Sequence, residues 1–345
     1  MKALLEVPSS IIRLREDSRR RRDEIVKRYL SLPSQPEKPP YFDADITASH
    51  LERSRLELTA DATHTGRDKE ERRRSYYAYT RAHIADYAMD GNGGSMTEIC
   101  IGVMGEVLHV TSDLQVAAGF FSSMVATVDD YLDREGSFIE LGEGLFSISH
   151  AYRDLMDMVL EEEVARGHIG VKELNDLRRR LFDVTKTLVQ SESASDPEVY
   201  LYEKSCGDKV IDVLTPLSPD DELRKTKCRE MGRLVGEAGQ LVDDVMDYEY
   251  DMREGKKNYI SMSRSDIPSA LDEAEGRIER ARGLAAELES REMAWIIDGL
   301  SDIVRTFRSS HKNESAVSPS LLNLSQYLKH LMPEGVPGNQ FLFWF

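Results

Sequence analysis

Two clusters of aspartates, each embedded in an apolar segment, place the strongest constraint on how this chain can fold. Each cluster has the pattern Asp-Asp-x-x-Asp, and the six residues are Asp129, Asp130, Asp133, Asp243, Asp244 and Asp247. Residues four apart share one face of a helix, so Asp129 and Asp133 are predicted to point the same way. In the second cluster the same spacing continues to Asp251. The pattern predicts two acidic stripes on two apolar helices.

Carboxylates at helical spacing are unfavourable unless a cation lies between them. Like charges one turn apart destabilise a helix by about a few tenths of a kcal/mol per pair, and an unpaired carboxylate is costly to bury. Mg²⁺ takes oxygen ligands and is usually held by one or two carboxylates together with substrate phosphates. A single charge run is most often a solvated helix face. Two runs of identical pattern, both inside apolar stretches, indicate a site for divalent cations.

The second cluster belongs to a longer motif, Gly-Glu-Ala-Gly-Gln-Leu-Val-Asp-Asp-Val-Met-Asp, over residues 236–247. At these residues the chain resembles the class I isoprenoid synthases, and most closely the trans-polyprenyl diphosphate synthases, which carry Gly-Glu-Ala-Phe-Gln-x-x-Asp-Asp-x-x-Asp. The segment 202–205, Tyr-Glu-Lys-Ser, looks like the Lys-Thr element of that family. The segment 255–257, Gly-Lys-Lys, looks like its downstream Gly-Lys. The resemblance covers residues 95–265.

The resemblance implies an all-α fold, an antiparallel helical bundle of the isoprenoid synthase type with the active site in the bundle core. It also implies an enzyme that ionises an allylic prenyl diphosphate and transfers the prenyl group, using several Mg²⁺ ions bound together with the diphosphate. The six aspartates would be the catalytic groups and the metal ligands, and Asp251 would be a further metal ligand. The expected contacts to the substrate are Lys204, Gln240, Lys256 and Lys257.

The apolar run before the first cluster predicts where the hydrocarbon binds. On a helix, Phe120, Phe121 and Met124 lie one to two turns or slightly more before Asp129. An allylic cation needs a dry, apolar pocket, so we expect these three side chains to line it. Ordinary core packing is the alternative for each of them. In the resembled family, residues just before the first motif limit product length, and Met124 would leave room for a longer tail.

The sequence departs from the chain-elongating members of that family at the second-substrate site. Those proteins carry Gly-Lys-Arg-x-Arg-Pro near the N-terminus and Arg-Arg soon after the first motif. Here residues 134–138 read Arg-Glu-Gly-Ser-Phe, no Gly-Lys-Arg element is present, and Gly239 replaces the usual Phe. A class I terpene cyclase or diphosphate lyase is therefore the first alternative, because Asp243, Asp247 and Asp251 approximate the second metal motif of the cyclases. A non-catalytic synthase subunit is the second alternative.

The composition of the chain limits the kinds of molecule that it is expected to bind. The chain has 345 residues and a net charge of −17, which argues against a nucleic-acid role because phosphate binding requires a basic surface. Three cysteines without metal-ligand spacing indicate reduced thiols, and no stretch reaches the roughly 18 apolar residues of a membrane span. We expect a cytoplasmic homodimer. The basic run 19–22 is expected to be a solvated helix face, with peripheral contact to acidic headgroups as the alternative.

The chain divides into a basic N-terminal helix and Pro-rich connector at 1–45, a class I isoprenoid synthase domain at 46–332 and an apolar C-terminal tail at 333–345. Apolar residues recur at i, i+3, i+4 and i+7 along most of the synthase domain, which is typical of helices. The predicted helices lie near 9–30, 47–62, 68–88, 96–110, 112–134, 139–167, 171–193, 197–215, 219–253, 266–289, 292–311 and 318–331.

Overall fold

The computed structural model describes residues 8–31, 96–133, 139–180, 194–205, 211 and 213–311. Within these residues the regular secondary structure is helical throughout, so the all-α prediction is confirmed. The helices are α1 Ser9–Ser31, α2 Met96–Val107, α3 Ser112–Asp133, α4 Ile139–Ala165, α5 Pro197–Lys204, α6 Glu222–Glu254, α7 Tyr259–Ser263, α8 Ile267–Glu287 and α9 Arg291–His311. Residues 171–180 are also helical, and Thr215–Leu217 form a 3₁₀ turn.

Several predicted features lie outside the described residues. They are the Pro-rich connector, the helices near 47–62, 68–88 and 318–331, the segment 134–138 after the first acidic cluster, and the apolar tail at 333–345. The domain boundaries predicted at 45 and 332 lie there too.

Two predicted helices differ in extent from those in the structure. The helix predicted at 197–215 is not continuous: α5 ends at Lys204, because Ser205 takes an extended conformation (φ −67°, ψ 122°) and its hydroxyl donates to the Tyr202 carbonyl at 3.2 Å, and residues 211, 213 and 214 are helical again. A local side-chain bond of this kind competes with helix continuation. The helix predicted at 96–110 ends at Val107, and His109 closes it with a left-handed backbone (φ 51°). Periodicity alone cannot detect either event.

Two helix pairs form the largest interfaces of the bundle. Helix α3 packs on α4, and α6 packs on α8, which in turn packs on α9. The face that α8 buries is made mainly of small side chains, namely Ala270, Ala274, Ala281 and Ala285. Because alanine adds little bulk, it allows a close approach between α8 and its neighbours. This packing holds α6, the helix of the second acidic cluster, against α8.

Helix α1 belongs to the body of the bundle, where it packs on α2, α3 and α4. Ile11, Ile25 and Val26 are about 1% exposed and join the common hydrophobic core. A Cβ at Gly102 of α2 would meet Leu14 at 2.8 Å, so glycine permits this close crossing. The helix therefore contributes to the same core as the helices that follow it.

The arginine run of α1 is not simply a solvated face. Arg21 forms a two-fold contact with Asp113, with Nε donating to Oδ1 at 2.6 Å and a terminal nitrogen donating to Oδ2 at 2.9 Å. Arg22 is only 6% exposed. Arg20, by contrast, pairs with Asp17 on the surface at 2.8 Å. The expectation of a solvated face is wrong for Arg21 and Arg22, because these two side chains face α3 and the core.

The hydrophobic core is continuous from α1 to α9. Trp295, Ile296 and Ile297 of α9 are buried in it, as are Phe120 and Phe121 of α3. In the part of the chain that the structure describes, no helix combines the length and the apolar character that crossing a bilayer requires.

Candidate active site

Helix α6 carries the second acidic cluster and has well-defined ends. Asp221 caps its N-terminus, where the side chain accepts from the backbone N–H of Arg224 at 2.8 Å. Gly255 ends it in a left-handed conformation (φ 70°) with its N–H bonded to the Asp251 carbonyl. Glycine adopts this backbone conformation without steric penalty. The cluster therefore lies in the last three turns of a long helix.

Asp244 faces the protein interior and is 3% exposed. Its Oδ1 accepts from Gln240 Nε2 at 3.0 Å and from the Tyr200 hydroxyl at 3.4 Å, and its Oδ2 accepts from the backbone N–H of Tyr259 at 2.7 Å. Burial raises the pKa of Asp244 to about 7, although the Tyr259 N–H and Gln240 oppose the rise. Donors from α5, α6 and α7 thus converge on one carboxylate.

Asp243 and Asp247 occupy a different side of α6 and are half-buried. Being four residues apart, they share a helix face, whereas Asp244 is rotated by about 100° from Asp243. Oδ2 of Asp243 accepts from Gln240 Nε2 at 3.4 Å. Gln240 therefore contacts both adjacent aspartates and fixes their relative orientation.

Asn258 links Asp251 to the rest of the cluster. Its side-chain amide is fully buried and donates to Asp251 Oδ2 at 2.9 Å and to the backbone carbonyl of Asp244 at 2.7 Å. Burial raises the pKa of Asp251, while Asn258, Lys256 and Lys204 act in the opposite direction. Two of the predicted substrate-binding lysines therefore bring positive charge to this end of α6.

The three predicted lysines are used differently. Lys204 ends α5, and its charge also opposes the raised pKa of Asp244. Lys256 Nζ lies 5.7 Å from the ring centroid of Tyr250. Lys257 Nζ donates to the Ala194 carbonyl at 2.7 Å, which fastens the segment that leads into α5. Lys204 and Lys256 are therefore the two lysines whose charge acts on the acidic cluster.

The first acidic cluster lies at the end of α3, which extends to Asp133. The side chains of Asp129, Asp130, Asp133 and Met124 are outside the described part of the structure. Phe120 and Phe121 are 1% and 0% exposed, and the Phe120 ring lies 6.3 Å from that of Tyr152 on α4. Phe120 therefore packs between α3 and α4, and Phe121 is buried in the common hydrophobic core.

Helices α3 and α6 start at the same end of the bundle. Arg224 Nε, near the start of α6, donates to the Val107 carbonyl at 2.7 Å, and Asp220 contacts His109 Nδ1 at 2.9 Å, just before α3. At about 1.5 Å per residue, Asp129 lies about 26 Å along α3 and Asp243 about 32 Å along α6. Both acidic clusters thus lie in the distal parts of helices that begin together.

Two site residues, Tyr200 and Tyr259, were not predicted from the sequence. Both are buried tyrosines, at 3% and 2% exposure, and both contact Asp244. Tyr200 precedes the Lys-Thr-like element, and Tyr259 follows the Gly-Lys-like element. Their proximity to these two elements was the available signal. Among side chains that the structure describes, no group of three Asp, Glu, His or Cys residues is arranged to hold a metal ion.

No protein-family model matches this chain, and no curated protein matches it at the level of sequence. Solved structures do match. A decaprenyl diphosphate synthase from Rhodobacter capsulatus superposes with a TM-score of 0.50 at 14% identity, over 75% of this chain and 97% of that chain. A geranylgeranyl pyrophosphate synthetase from the archaeon Geoglobus acetivorans gives a TM-score of 0.49 at 15% identity, over 86% and 99%.

A polyprenyl synthase from Caulobacter crescentus, complexed with calcium and isoprenyl diphosphate, gives a TM-score of 0.48 at 14% identity, over 85% of this chain and 96% of that chain. At such identities the likeness concerns the fold. This chain has the all-helical isoprenoid synthase fold of the polyprenyl diphosphate synthases.

Proposed function

We propose that this protein is a Mg²⁺-dependent class I isoprenoid synthase that ionises an allylic prenyl diphosphate and transfers the prenyl group. The observation that carries the proposal is the division of the second acidic cluster. Asp244 turns inward and is held by Gln240 and Tyr259, while Asp243 and Asp247 share a half-buried face. A helix braced in this way presents two carboxylates at a fixed spacing, as cation binding requires.

The donor set fits a hard divalent cation, because carboxylate oxygens are the ligands that Mg²⁺ prefers. Asp243 and Asp247 on α6, with Asp129, Asp130 and Asp133 on α3, would hold it. When bound, Mg²⁺ supplies neutralisation of the negative charge on the leaving diphosphate. Asp244 would hold α6 in place and would not bind the cation, since both of its oxygens already accept hydrogen bonds from the protein.

Two lysines are proposed to bind the diphosphate directly. The charges of Lys204 and Lys256 both act on Asp251, so both ammonium groups lie at the same end of α6 as the acidic cluster. Phe120 and Phe121 are 1% and 0% exposed, so this part of α3 would contribute an apolar surface without water beside the hydrocarbon. An allylic cation formed beside that surface is protected from quenching.

A second candidate is a class I terpene cyclase or diphosphate lyase on the same scaffold. The sequence favours it at one point: the segment 134–138 lacks the arginine pair with which elongating synthases bind their second diphosphate. A cyclase needs only one prenyl diphosphate. The two candidates therefore differ in whether isopentenyl diphosphate is required.

The deciding experiment is an assay of the purified full chain with Mg²⁺ and geranyl, farnesyl or geranylgeranyl diphosphate, each with and without isopentenyl diphosphate. Longer prenyl diphosphates formed only with isopentenyl diphosphate identify prenyl transfer. A hydrocarbon or alcohol released with diphosphate in its absence identifies the cyclase. Lack of both turnover and calorimetric binding of Mg²⁺-diphosphate identifies a non-catalytic subunit.

The matched variants are Asp129→Ala and Asp243→Ala on the two clusters, with Asp302→Ala as the control. Asp302 lies on α9 and forms an exposed pair with Arg305 at 3.0 Å, far from either cluster in sequence. We expect the first two variants to lose turnover with unchanged helicity and the control to keep it. Unchanged turnover in Asp129→Ala and Asp243→Ala would reject the assignment. Homodimer formation, cytoplasmic location and membrane contact by α1 remain predictions, which sedimentation, cell fractionation and vesicle binding can test.

A further inference from the structure

Tyr259 joins three elements around the second acidic cluster. It is the first residue of α7 and is 2% exposed. Its backbone N–H donates to Asp244 Oδ2 at 2.7 Å, while its hydroxyl lies 2.7 Å from Glu198 Oε1 on α5 and 2.8 Å from Glu273 Oε2 on α8. The position of the N–H that binds Asp244 therefore depends on how the ring is anchored at its far end.

That anchor brings two carboxylates to one hydroxyl. A tyrosine hydroxyl has a single proton and can donate to only one acceptor at a time. Two ionised carboxylates so close to one oxygen repel each other, and a cation beside them offsets this repulsion. Arg277 of α8 supplies that cation, with contacts of 3.3 Å to Glu198 and 3.3 Å to Glu273.

Arg277 is itself fixed to α6. Its Nε donates to Glu237 Oε2 at 2.9 Å, and Glu237 is 5% exposed and also accepts from Arg233 at 2.8 Å. Glu237 lies about two turns before Asp244 on the same helix. A closed path of contacts therefore runs from α6 through Arg277 and the carboxylates to Tyr259, and from its N–H back to α6 at Asp244.

We propose that Arg277 and Tyr259 are positioning residues for the second acidic cluster. Arg277 holds Glu198 and Glu273 together, and these two carboxylates hold the hydroxyl end of the Tyr259 ring. The backbone N–H of Tyr259 then holds Asp244. This contact fixes the rotation of α6 and, with it, the direction of Asp243 and Asp247. The contacts of Tyr259 and Arg277 described above go to Asp244, Glu198, Glu273 and Glu237. The expected effect on turnover rests on the proposed function. The expected effect on the Tyr259–Asp244 hydrogen bond rests on the geometry alone.

The chain offers a matched control for Arg277. Arg282 is also on α8, and it also pairs with one carboxylate on its own helix, Glu279, and one on a neighbouring helix, Asp298 at 2.9 Å. Arg282→Gln removes two ion pairs on the side of α8 that faces α9, against the three that Arg277→Gln removes. Tyr259→Phe is the second test variant, because it removes only the anchored hydroxyl and leaves every charge in place.

Two measurements separate positioning from general stability. The first is hydrogen–deuterium exchange over residues 256–263 in the full chain. The second is the Mg²⁺ concentration needed for half-maximal turnover of the prenyl diphosphate identified above. We expect Arg277→Gln and Tyr259→Phe to speed exchange in this segment and to raise the Mg²⁺ requirement or lower kcat by about tenfold, as loss of a supporting partner does at metal sites. Arg282→Gln should change neither.

The outcomes distinguish the two proposals. Wild-type turnover with an unchanged Mg²⁺ requirement and unchanged exchange in both test variants overturns the positioning role and leaves the proposed function standing. No wild-type turnover, but faster exchange in the test variants alone, rejects the proposed function and supports the anchor. Equal losses in Arg277→Gln and Arg282→Gln show ordinary helix pairing and overturn the inference. If Arg277→Gln does not fold, Tyr259→Phe carries the test.

Discussion

Arg21 and Asp113 form a two-point contact that ties α1 to the first turn of α3, with nitrogen–oxygen distances of 2.6 and 2.9 Å. Arg166, which follows α4, also binds Asp113 at 2.5 Å. One carboxylate thus joins α1 and α3 to the segment that follows α4. The N-terminal helix is held by this contact as well as by its buried apolar side chains.

We expect Arg21→Gln to lower the free energy of unfolding by about 1.5–3 kcal/mol, the range for hydrogen bonds to charged groups. Arg20→Gln is the matched control, because Arg20 belongs to the same run and, among the described residues, pairs with Asp17 on the surface. Exposed pairs contribute about 0–1 kcal/mol. Urea unfolding of both variants measures the difference, and equal losses would contradict the structural role of Arg21.

The same contact predicts a dependence of stability on pH. Arg21 holds the pKa of Asp113 below its usual value, and Arg166 adds to this effect, although burial opposes it. Because the pKa is lower in the folded state, the contribution is complete above the unfolded value of about 3.9 and is lost as pH falls through the folded value. The stability difference between wild type and Asp113→Asn should therefore shrink below about pH 4. Urea titrations across this range test it, and a constant difference would refute it.

The all-helical fold and the position of both acidic clusters on helices could be predicted from the sequence, because period-3.6 patterns and Asp-Asp-x-x-Asp spacing are local. Long helices such as α6 and α9 were placed within a few residues for the same reason. The five-residue helix α7 was missed, since so short an element has too few residues to show a period.

The partners within the site could not be predicted, because they are distant in sequence. Asp244 binds Tyr200, which is 44 residues away, and Arg277 binds Glu198, which is 79 residues away. Nothing in a local pattern distinguishes Asp244, which turns inward, from Asp243 beside it. Only the packing of α5, α7 and α8 on α6 decides which aspartate is enclosed.

Because Asp244 faces the interior and Asp247 does not, we expect their alanine variants to differ in stability. Asp244→Ala leaves the Tyr259 N–H and the Gln240 amide without their acceptor, so we expect a loss of about 1–3 kcal/mol. Asp247→Ala, on the half-buried face, should lose less than about 1 kcal/mol while abolishing Mg²⁺-dependent turnover. Melting curves and the turnover assay on both variants check this, and the reverse order of stabilities would refute the assignment.

The position of the hydrocarbon pocket that is predicted beside α3 can be tested by a substitution at Gly119. Gly119 is buried, yet among the described residues a Cβ added there would meet no atom within 4 Å. This open space lies about 15 Å before Asp129 along α3. We expect Gly119→Leu to fill it and to shorten the longest prenyl chain that the protein accepts or forms. Met124→Phe, nearer to Asp129, should shorten that chain further, and product analysis by mass spectrometry measures both effects.

Gly276 of α8 provides the control for Gly119→Leu. A Cβ there also meets no described atom within 4 Å, but Gly276 is exposed. Replacing a helical glycine with leucine stabilises a helix by about 0.5–1 kcal/mol, so both variants should melt at a higher temperature than wild type. Only Gly119→Leu should change the product spectrum, because only its side chain projects into the interior. If Gly119→Leu and Met124→Phe both fold and leave the spectrum unchanged, this stretch of α3 is ordinary core and the hydrocarbon binds elsewhere.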